Sequence, residues 1–151
     1  MEVVFDEGLG SVFNARVAGN IVNDDILGSL EYATQVIGAK LVVVLGHSSC
    51  GAIKGACDSV KLGHLTGLLD KIQPAVSRVP ASLKPRNSKN WAFVEAVAEE
   101  NVRLAVQEIM ARSPIIAALV HAGKLKVVGA MYDLSTGEVH FQNLANPTSG
   151  S

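Results

Sequence analysis

The chain has 151 residues and a formal net charge of -1; 48% of its residues are hydrophobic and 18% are charged. This composition predicts a single folded domain over 1–151 and excludes a disordered chain, and the near-neutral charge gives no electrostatic basis for binding nucleic acid. Because no apolar run reaches the roughly 20 residues of a membrane-spanning helix, we expect no membrane partner.

The first third of the chain predicts a strand, a helix and a second strand. Residues 11–20 (SVFNARVAGN) are typical of a strand that ends in a Gly-Asn turn. Residues 23–38 predict a helix, because Asn23 supplies an N-cap, apolar residues recur on one face and Gly38 is a suitable stop. Residues 40–46 (KLVVVLG) are apolar on both faces, as in a strand inside a parallel sheet. Together these segments predict a right-handed βαβ unit.

The rest of the chain predicts further helices and a closing hairpin. The segments are a helix over 49–60, a helical pattern over 63–79 with a kink or break at Pro74, a loop over 81–89, helices over 90–113 and 114–121, a β-hairpin over 124–142 and a disordered tail over 146–151. The chain as a whole predicts an α/β fold with a mainly parallel sheet.

Two candidate metal ligands, His47 and Cys50, follow the strand over 40–46. Ligands gather at this end of the strands in open α/β sheets, and zinc binds both imidazole nitrogen and thiolate sulfur. If a helix begins near Ser49, both side chains can converge on one ion. A catalytic zinc needs three protein ligands and one open position, so the pair supplies two of the three. The H-x-x-C pattern alone is a weak signal, and it leaves chance pairing open.

Other donors suit a metal less well. Cys57 lies two helical turns after Cys50, about 10 Å along the axis of a continuous helix, and we interpret it as a small buried residue. We interpret His64, His121 and His140 as surface or capping residues. Two cysteines are too few for a disulfide framework in a domain of this size, which favours a reducing compartment, and we expect a cytoplasmic location.

Longer stretches of the sequence resemble the β-class carbonic anhydrases. They are FNARVAGN (13–20), GSLEYATQVIGAKLVVVLGHSSCGAIKGA (28–56) and ARSPIIAALVHAGKLKVVGAMYDLSTGEVHF (111–141). Their A-G-N, S-L-E-Y-A and G-H-S-x-C-G-A elements occur in the order of the family. The resemblance implies a mainly parallel sheet flanked by helices, and zinc-dependent, reversible hydration of carbon dioxide to bicarbonate by a homodimer or tetramer.

The resemblance also implies roles for single residues. His47 and Cys50 correspond to two of the family's three zinc ligands, and the backbone N–H of Gly51 corresponds to a donor to bound substrate or bicarbonate. The apolar side of the carbon dioxide pocket, partly lent across the dimer interface, corresponds to Phe13, Val22 and Tyr32. Ordinary core packing is the alternative interpretation of these three.

One element of the family is missing from the sequence. The family's first zinc ligand is a cysteine in a Cys-x-Asp-Ser-Arg motif, which ends an inner strand, and no such motif occurs here. We therefore expect a truncated chain that lacks the family's first strand and N-terminal helices, with strand exchange or a rearranged sheet filling the gap. Without the third ligand and the Asp–Arg pair, we expect low hydration activity from this chain alone.

Three other functions stay open. A non-catalytic relic or engineered scaffold would keep the fold and the oligomer surface without the metal. A thiol redox protein would use Cys50 and Cys57, although their spacing is not C-x-x-C. An anion-binding protein would use the glycine-rich turn near 46–52, although the Gly-Lys-Ser/Thr of a P-loop is absent.

Overall fold

The computed structural model describes residues 1–143, which form helices packed against a three-stranded sheet. The tail predicted over 146–151 lies outside these residues. In chain order the elements are α1 (Glu2–Phe5), a 3-10 turn (Ala18–Asn20), α2 (Asp24–Glu31), a π-helical turn (Tyr32–Val36), β1 (Leu41–His47), α3 (Gly51–Cys57), α4 (Gly63–Asp70), α5 (Gln73–Arg78), α6 (Trp91–Arg112), α7 (Pro114–His121), β2 (Lys126–Tyr132) and β3 (Val139–Phe141).

The sheet has the strand order β1-β2-β3. β1 and β2 are parallel, in a register that pairs Leu41 with Lys126 and His47 with Tyr132. β3 runs antiparallel to β2, which confirms the predicted hairpin. The α/β class is confirmed, and helices α3 to α7 form the long crossover between the parallel strands.

The strand predicted over 11–20 is wrong, and so is the βαβ unit that depended on it. Residues 12–17 are not paired with any strand in the described part of the chain, and Ala18–Asn20 form a 3-10 turn. Sequence alternation favours an extended segment, but a strand also needs a neighbour whose backbone groups it can bond. Contact with β1 is made instead by the side chain of Asn20, which donates to the carbonyl oxygen of Leu45.

β1 is an edge strand among residues 1–143. The carbonyl of Lys40 accepts from the N–H of Lys126 (3.1 Å), and the N–H of Ser48 donates to the carbonyl of Tyr132 (3.0 Å). The even-numbered residues of 40–48 therefore direct their backbone N–H and C=O groups toward β2, and the odd-numbered residues direct theirs to the opposite edge. Those odd-numbered residues are Leu41, Val43, Leu45 and His47.

The helix predicted over 23–38 is confirmed, with a change of pitch. The Asn23 side chain accepts the N–H of Ile26 at 2.9 Å as an N-cap. The α-helix then widens into the π-helical turn Tyr32–Val36, and Gly38 ends the segment with a φ of 87°. Glycine adopts this left-handed conformation without steric cost, as the predicted stop requires.

The helical pattern over 63–79 forms two helices, but the break between them is not at the predicted position. α4 ends at Asp70 and α5 begins at Gln73, so the break precedes the predicted position at Pro74. Proline is tolerated in the first turn of a helix, because the first amides have no acceptor within the helix. Pro74 therefore helps to begin α5. The helices predicted over 49–60, 90–113 and 114–121 correspond to α3, α6 and α7.

The long helix α6 contacts both parallel strands through two glycines. A β-carbon at Gly46 would lie 2.6 Å from Cγ2 of Val102, and one at Gly129 would lie 2.7 Å from Cγ1 of the same valine. Val102 is fully buried at this contact. β1, β2 and α6 therefore form one closely packed unit that fixes the carboxyl end of β1. No helix within residues 1–143 has both the length and the apolar character to cross a membrane.

Candidate functional site

The candidate ligands lie at the two ends of a tight turn between β1 and α3, which we call the ligand turn (residues 47–50). His47 is the last residue of β1, and Cys50 occupies the N-cap position of α3. Ser49 has a φ of 54°, which is uncommon for residues other than glycine, asparagine and aspartate. Such a conformation persists where the surrounding structure holds it.

Ser48 attaches the ligand turn to the end of β2. Its N–H donates to the carbonyl of Tyr132 at 3.0 Å, and its Oγ accepts the N–H of Leu134 at 2.9 Å. The first bond extends the parallel ladder by one residue, and the second fixes the turn against the β2–β3 connection.

Ser49 attaches the ligand turn to α6. Its N–H donates to Oε1 of Glu95 at 3.1 Å. Glu95 is half-buried and lies in the second turn of α6. The two serines between His47 and Cys50 are therefore held by different elements, one by β2 and the other by α6.

The His47 ring is oriented by its own turn. Its Nδ1 lies 2.8 Å from the carbonyl oxygen of Ser48. A carbonyl oxygen only accepts, so Nδ1 carries the proton and Nε2 keeps its lone pair. This tautomer is suitable for a histidine that binds a metal through Nε2.

The second donor, Cys50, has a free thiol and is 6% exposed. Imidazole nitrogen and cysteine sulfur are both zinc ligands, so this donor set fits zinc in kind. Within residues 1–143, no group of three or more His, Cys, Asp or Glu side chains is placed to hold a metal ion. The described part of the chain therefore offers two candidate ligands.

The structure agrees with the predicted burial of Cys57 and with the predicted surface positions of the other histidines. Cys57 is 7% exposed, and burial raises the pKa of its thiol to about 11. A thiol with this pKa is protonated at neutral pH, which disfavours both metal binding and redox chemistry at Cys57. The remaining histidines, His64, His121 and His140, are exposed.

Gly51 is the first residue of α3 and is exposed. The N–H groups of a helix's first turn have no acceptor within the helix. A β-carbon at Gly51 would meet no heavy atom within 4 Å, so the space beside its α-carbon is open. Its role as a donor to substrate stays a prediction.

The three predicted pocket residues lie in two different places. The rings of Phe13 and Tyr32 are 6.2 Å apart, and the two side chains are 49% and 52% exposed. Val22 is 5% exposed and belongs to a core cluster with Leu27 and Ile109. Val22 is therefore a core residue, whereas Phe13 and Tyr32 form an exposed aromatic pair.

Sequence reasoning missed the residues that support the site. The buried side chain of Asn101 donates to the carbonyl of Gly19 at 2.5 Å, and Asn20 donates to β1, so the A-G-N element connects α6 with β1. A β-carbon at Gly19 would lie 2.7 Å from Cδ1 of Ile72. Asn101 is a polar residue between the apolar residues Ala98 and Val102 of a predicted helix, and this was its available signal. Glu95 gave no such signal, because it resembles any charged residue on a helix.

The fold and the ligand turn place the chain among α/β proteins that carry candidate ligands at the carboxyl end of a parallel strand. The sequence profile of the carbonic anhydrase family matches residues 1–139. The chain belongs to the carbonic anhydrase family, and its fold is that of the β class.

Individual relatives agree with this assignment. Carbonic anhydrase 2 of Mycobacterium tuberculosis is 37% identical over 136 residues, which are 90% of this chain and 65% of that protein. The β-carbonic anhydrase CafA of Aspergillus fumigatus superposes with a TM-score of 0.88 at 23% identity, over 97% of this chain and 70% of that one. A tetrameric β-carbonic anhydrase of Sordaria macrospora superposes with a TM-score of 0.79 at 22% identity, over 94% and 73%. The chain thus spans about two thirds of the length of these relatives.

Proposed function

We propose that this chain carries part of the active site for the reversible hydration of carbon dioxide to bicarbonate, with His47 and Cys50 as two ligands of a zinc ion. The observation that carries the proposal is the ligand turn itself. Both donors are at the carboxyl end of a parallel strand, and the turn between them is attached to β2 and α6. Family membership supplies the class of reaction.

The residues of the turn have separate tasks in this proposal. A bound zinc ion would acidify a water molecule so that hydroxide is available to attack carbon dioxide. The Ser48 carbonyl keeps the proton of His47 on Nδ1, which leaves Nε2 for the metal. The N–H of Gly51, which has no acceptor within α3, donates to an oxygen of carbon dioxide or bicarbonate. The exposed ring pair of Phe13 and Tyr32 supplies an apolar surface for an uncharged substrate.

We further propose that the chain by itself is a slow enzyme. Residues 1–143 present no third His, Cys, Asp or Glu side chain beside this donor pair. Zinc held by two protein ligands and water binds more weakly than zinc with three protein ligands. Nor does the sequence supply the Asp–Arg pair that the family resemblance implies beside the metal.

Cobalt titration tests the ligand assignment. Co²⁺ added to the protein should produce a thiolate-to-cobalt charge-transfer band, because Cys50 contributes sulfur. The band should disappear in Cys50→Ser, and the affinity for Co²⁺ should fall at least tenfold in His47→Asn. The matched controls are Cys57→Ala and His64→Asn, which should retain the band and the affinity. A band that survives in Cys50→Ser would overturn the assignment.

Stopped-flow hydration of carbon dioxide with added zinc tests the reaction. We expect measurable turnover that is lost in His47→Asn and that lies well below the rate of a full-length relative assayed in parallel. Turnover equal to that relative would contradict the proposed impairment. A chain that binds no stoichiometric zinc and shows no turnover would favour the non-catalytic relic or scaffold, which keeps the fold without the metal.

We propose that the chain forms a homodimer or a tetramer. A group of large apolar side chains near the start of β1 is more than half exposed, namely Tyr32, Val36, Ile37 and Leu41. The adjacent free edge of β1 offers the backbone groups of Leu41 and Val43 to an extended segment of a second copy, as strand exchange requires. The tetrameric protein of similar fold from Sordaria macrospora supports this proposal.

Size-exclusion chromatography with light scattering tests the proposed assembly. The wild-type chain should elute with at least twice the monomer mass, and Val36→Asp should shift it toward the monomer, because a charge is costly at an apolar interface. Gln35→Asp, at the neighbouring exposed position, is the control. A monomeric wild-type chain at micromolar concentration would contradict the proposal.

A further inference from the structure

The bond between Glu95 and Ser49 carries an inference that rests on the proposed function and deepens it. We propose that Glu95 is a positioning residue of the metal site: its carboxylate holds the backbone between His47 and Cys50 in the conformation with Ser49 at positive φ. The observed contact is the 3.1 Å hydrogen bond from the Ser49 N–H to Oε1 of Glu95.

The backbone of Ser49 is the part of the turn that most needs holding. Its φ of 54° is in the left-handed region, which serine leaves readily when nothing opposes the change. A return of Ser49 to negative φ would rotate the chain between the two donors. His47 is fixed on the β1 side by strand pairing, and Cys50 is buried at the start of α3, so the change at Ser49 would alter how the two donors lie relative to each other.

The other contacts of the turn do not perform this task. Both external bonds of Ser48 attach it to the β2–β3 side, through Tyr132 and Leu134. They fix the N–H and the hydroxyl of Ser48 and make no contact with the N–H of Ser49. Glu95 approaches from α6, on a different side, and its bond falls on that Ser49 N–H, in the peptide between the two serines.

Glu95 is well suited to the task by its place in the fold. It is half-buried and belongs to the helix whose Val102 contacts both Gly46 and Gly129. Its base is therefore rigid relative to β1.

The experiment compares three variants of the chain. Glu95→Ala removes the acceptor, Glu95→Gln keeps an acceptor oxygen without the charge, and Glu99→Ala removes an exposed carboxylate from the same helix as a control. Two quantities are measured: the hydrogen exchange rate of the Ser49 amide by NMR, and the dissociation constant for Co²⁺.

We expect a protected Ser49 amide in the wild type and in Glu99→Ala. Glu95→Ala should lose the protection and bind Co²⁺ about tenfold to a hundredfold more weakly, as is typical when a residue that orients a ligand is removed. Glu95→Gln should retain most of the protection and stay within about threefold of the wild-type affinity.

Two results would overturn the inference. One is unchanged Co²⁺ affinity in Glu95→Ala. The other is equal loss of affinity in Glu95→Gln with Ser49 still protected, which would make the effect one of charge. A wild-type chain that binds no Co²⁺ would instead refute the proposed function. In that case NMR decides the positioning role. The Ser49 amide and the His47 ring resonances must both change in Glu95→Ala and must stay as in the wild type in Glu99→Ala.

Discussion

The buried side chain of Asn101 donates a hydrogen bond to the carbonyl oxygen of Gly19, a residue 82 positions earlier in the chain. The neighbouring Asn20 donates to Leu45 in β1. A helix and a strand that are distant in sequence are thus connected through one short turn. This connection supports β1 from the side that β2 does not cover.

Replacement of Asn101 by leucine should destabilise the fold. The variant leaves the Gly19 carbonyl without its donor, and an unsatisfied buried acceptor costs about 1–3 kcal/mol. Urea unfolding followed by circular dichroism measures the change. Gln107→Ala, at an exposed position of the same helix, should stay within about 0.5 kcal/mol of the wild type. Equal stability of the two variants would contradict the role of Asn101.

Gly46→Ala should also be destabilising, by about 1–3 kcal/mol. The new β-carbon would lie 2.6 Å from Cγ2 of Val102 and 2.7 Å from Sδ of Met131, so the sheet and α6 would have to separate. Gly67→Ala is the matched control, because its β-carbon would meet nothing within 4 Å in the middle of α4. It should leave stability unchanged or raise it by up to about 1 kcal/mol. Thermal unfolding of both variants distinguishes a steric effect from a general effect of glycine replacement.

Ser113→Ala should weaken the junction of α6 and α7. The fully buried Ser113 caps α7 by accepting the N–H of Ile116 at 3.2 Å, and its hydroxyl donates to Glu31 at 2.7 Å. Loss of a cap and of a buried hydrogen bond predicts a decrease of about 1–3 kcal/mol in the free energy of unfolding. Ser77→Ala, at an exposed position of α5, is the control and should have little effect.

The carboxyl group of Asp58 should titrate below its ordinary range. Its two oxygens accept the hydroxyl of Ser88 at 2.5 Å and the N–H of Ser88 at 2.8 Å, and these bonds lower the pKa of Asp58 from 3.8. A lowered pKa in the folded state means that the stabilisation is present above the unfolded value and is lost as the pH falls through the folded one. NMR titration of the Asp58 carboxyl carbon should give a value below 3.8, and Ser88→Ala should raise it. No upward change in Ser88→Ala would rule out the hydroxyl as the cause.

Cys57 should make the fold less stable in alkaline solution. Burial, and secondarily the charge of Asp58, raise the pKa of this thiol from 9.0 to about 11. Between those values the unfolded chain releases the proton and the folded chain keeps it, so stability is full below pH 9 and falls toward pH 11. Urea unfolding at several pH values should show this slope in the wild type and less of it in Cys57→Ala. An identical slope in both would assign the effect to other groups.

Local signals in the sequence predicted most of the elements correctly. A helix cap, a glycine stop and apolar residues at helical spacing depend only on residues close by in the sequence. The structure confirms the helices indicated by Asn23, by Gly38 and by the apolar spacing over 90–113. Pro74 misled the prediction of the break, because proline both ends helices and begins them. The strand over 11–20 failed for a different reason. Strand formation there depends on a pairing partner, and no property of the segment itself reveals one.

The site could be predicted only in its chemically distinctive part. His47 and Cys50 stand out by residue type and by their place after an apolar strand. The residues that hold the turn, Ser48 and Glu95, are of common types, and their bonds connect positions 86 and 46 residues apart. Such contacts are a result of the tertiary fold, so a single sequence does not reveal them.

The distant anchors of the ligand turn have a consequence for fragments of the protein. A peptide cut after α7 would retain the histidine, the cysteine and every residue between them, yet it would lack Tyr132 and Leu134. Its ligand turn would keep the bond from Ser49 to Glu95 and lose both external bonds of Ser48. Chelation by the motif and chelation by the folded chain are therefore different events, because the complete set of anchors exists only when the last two strands have joined the sheet.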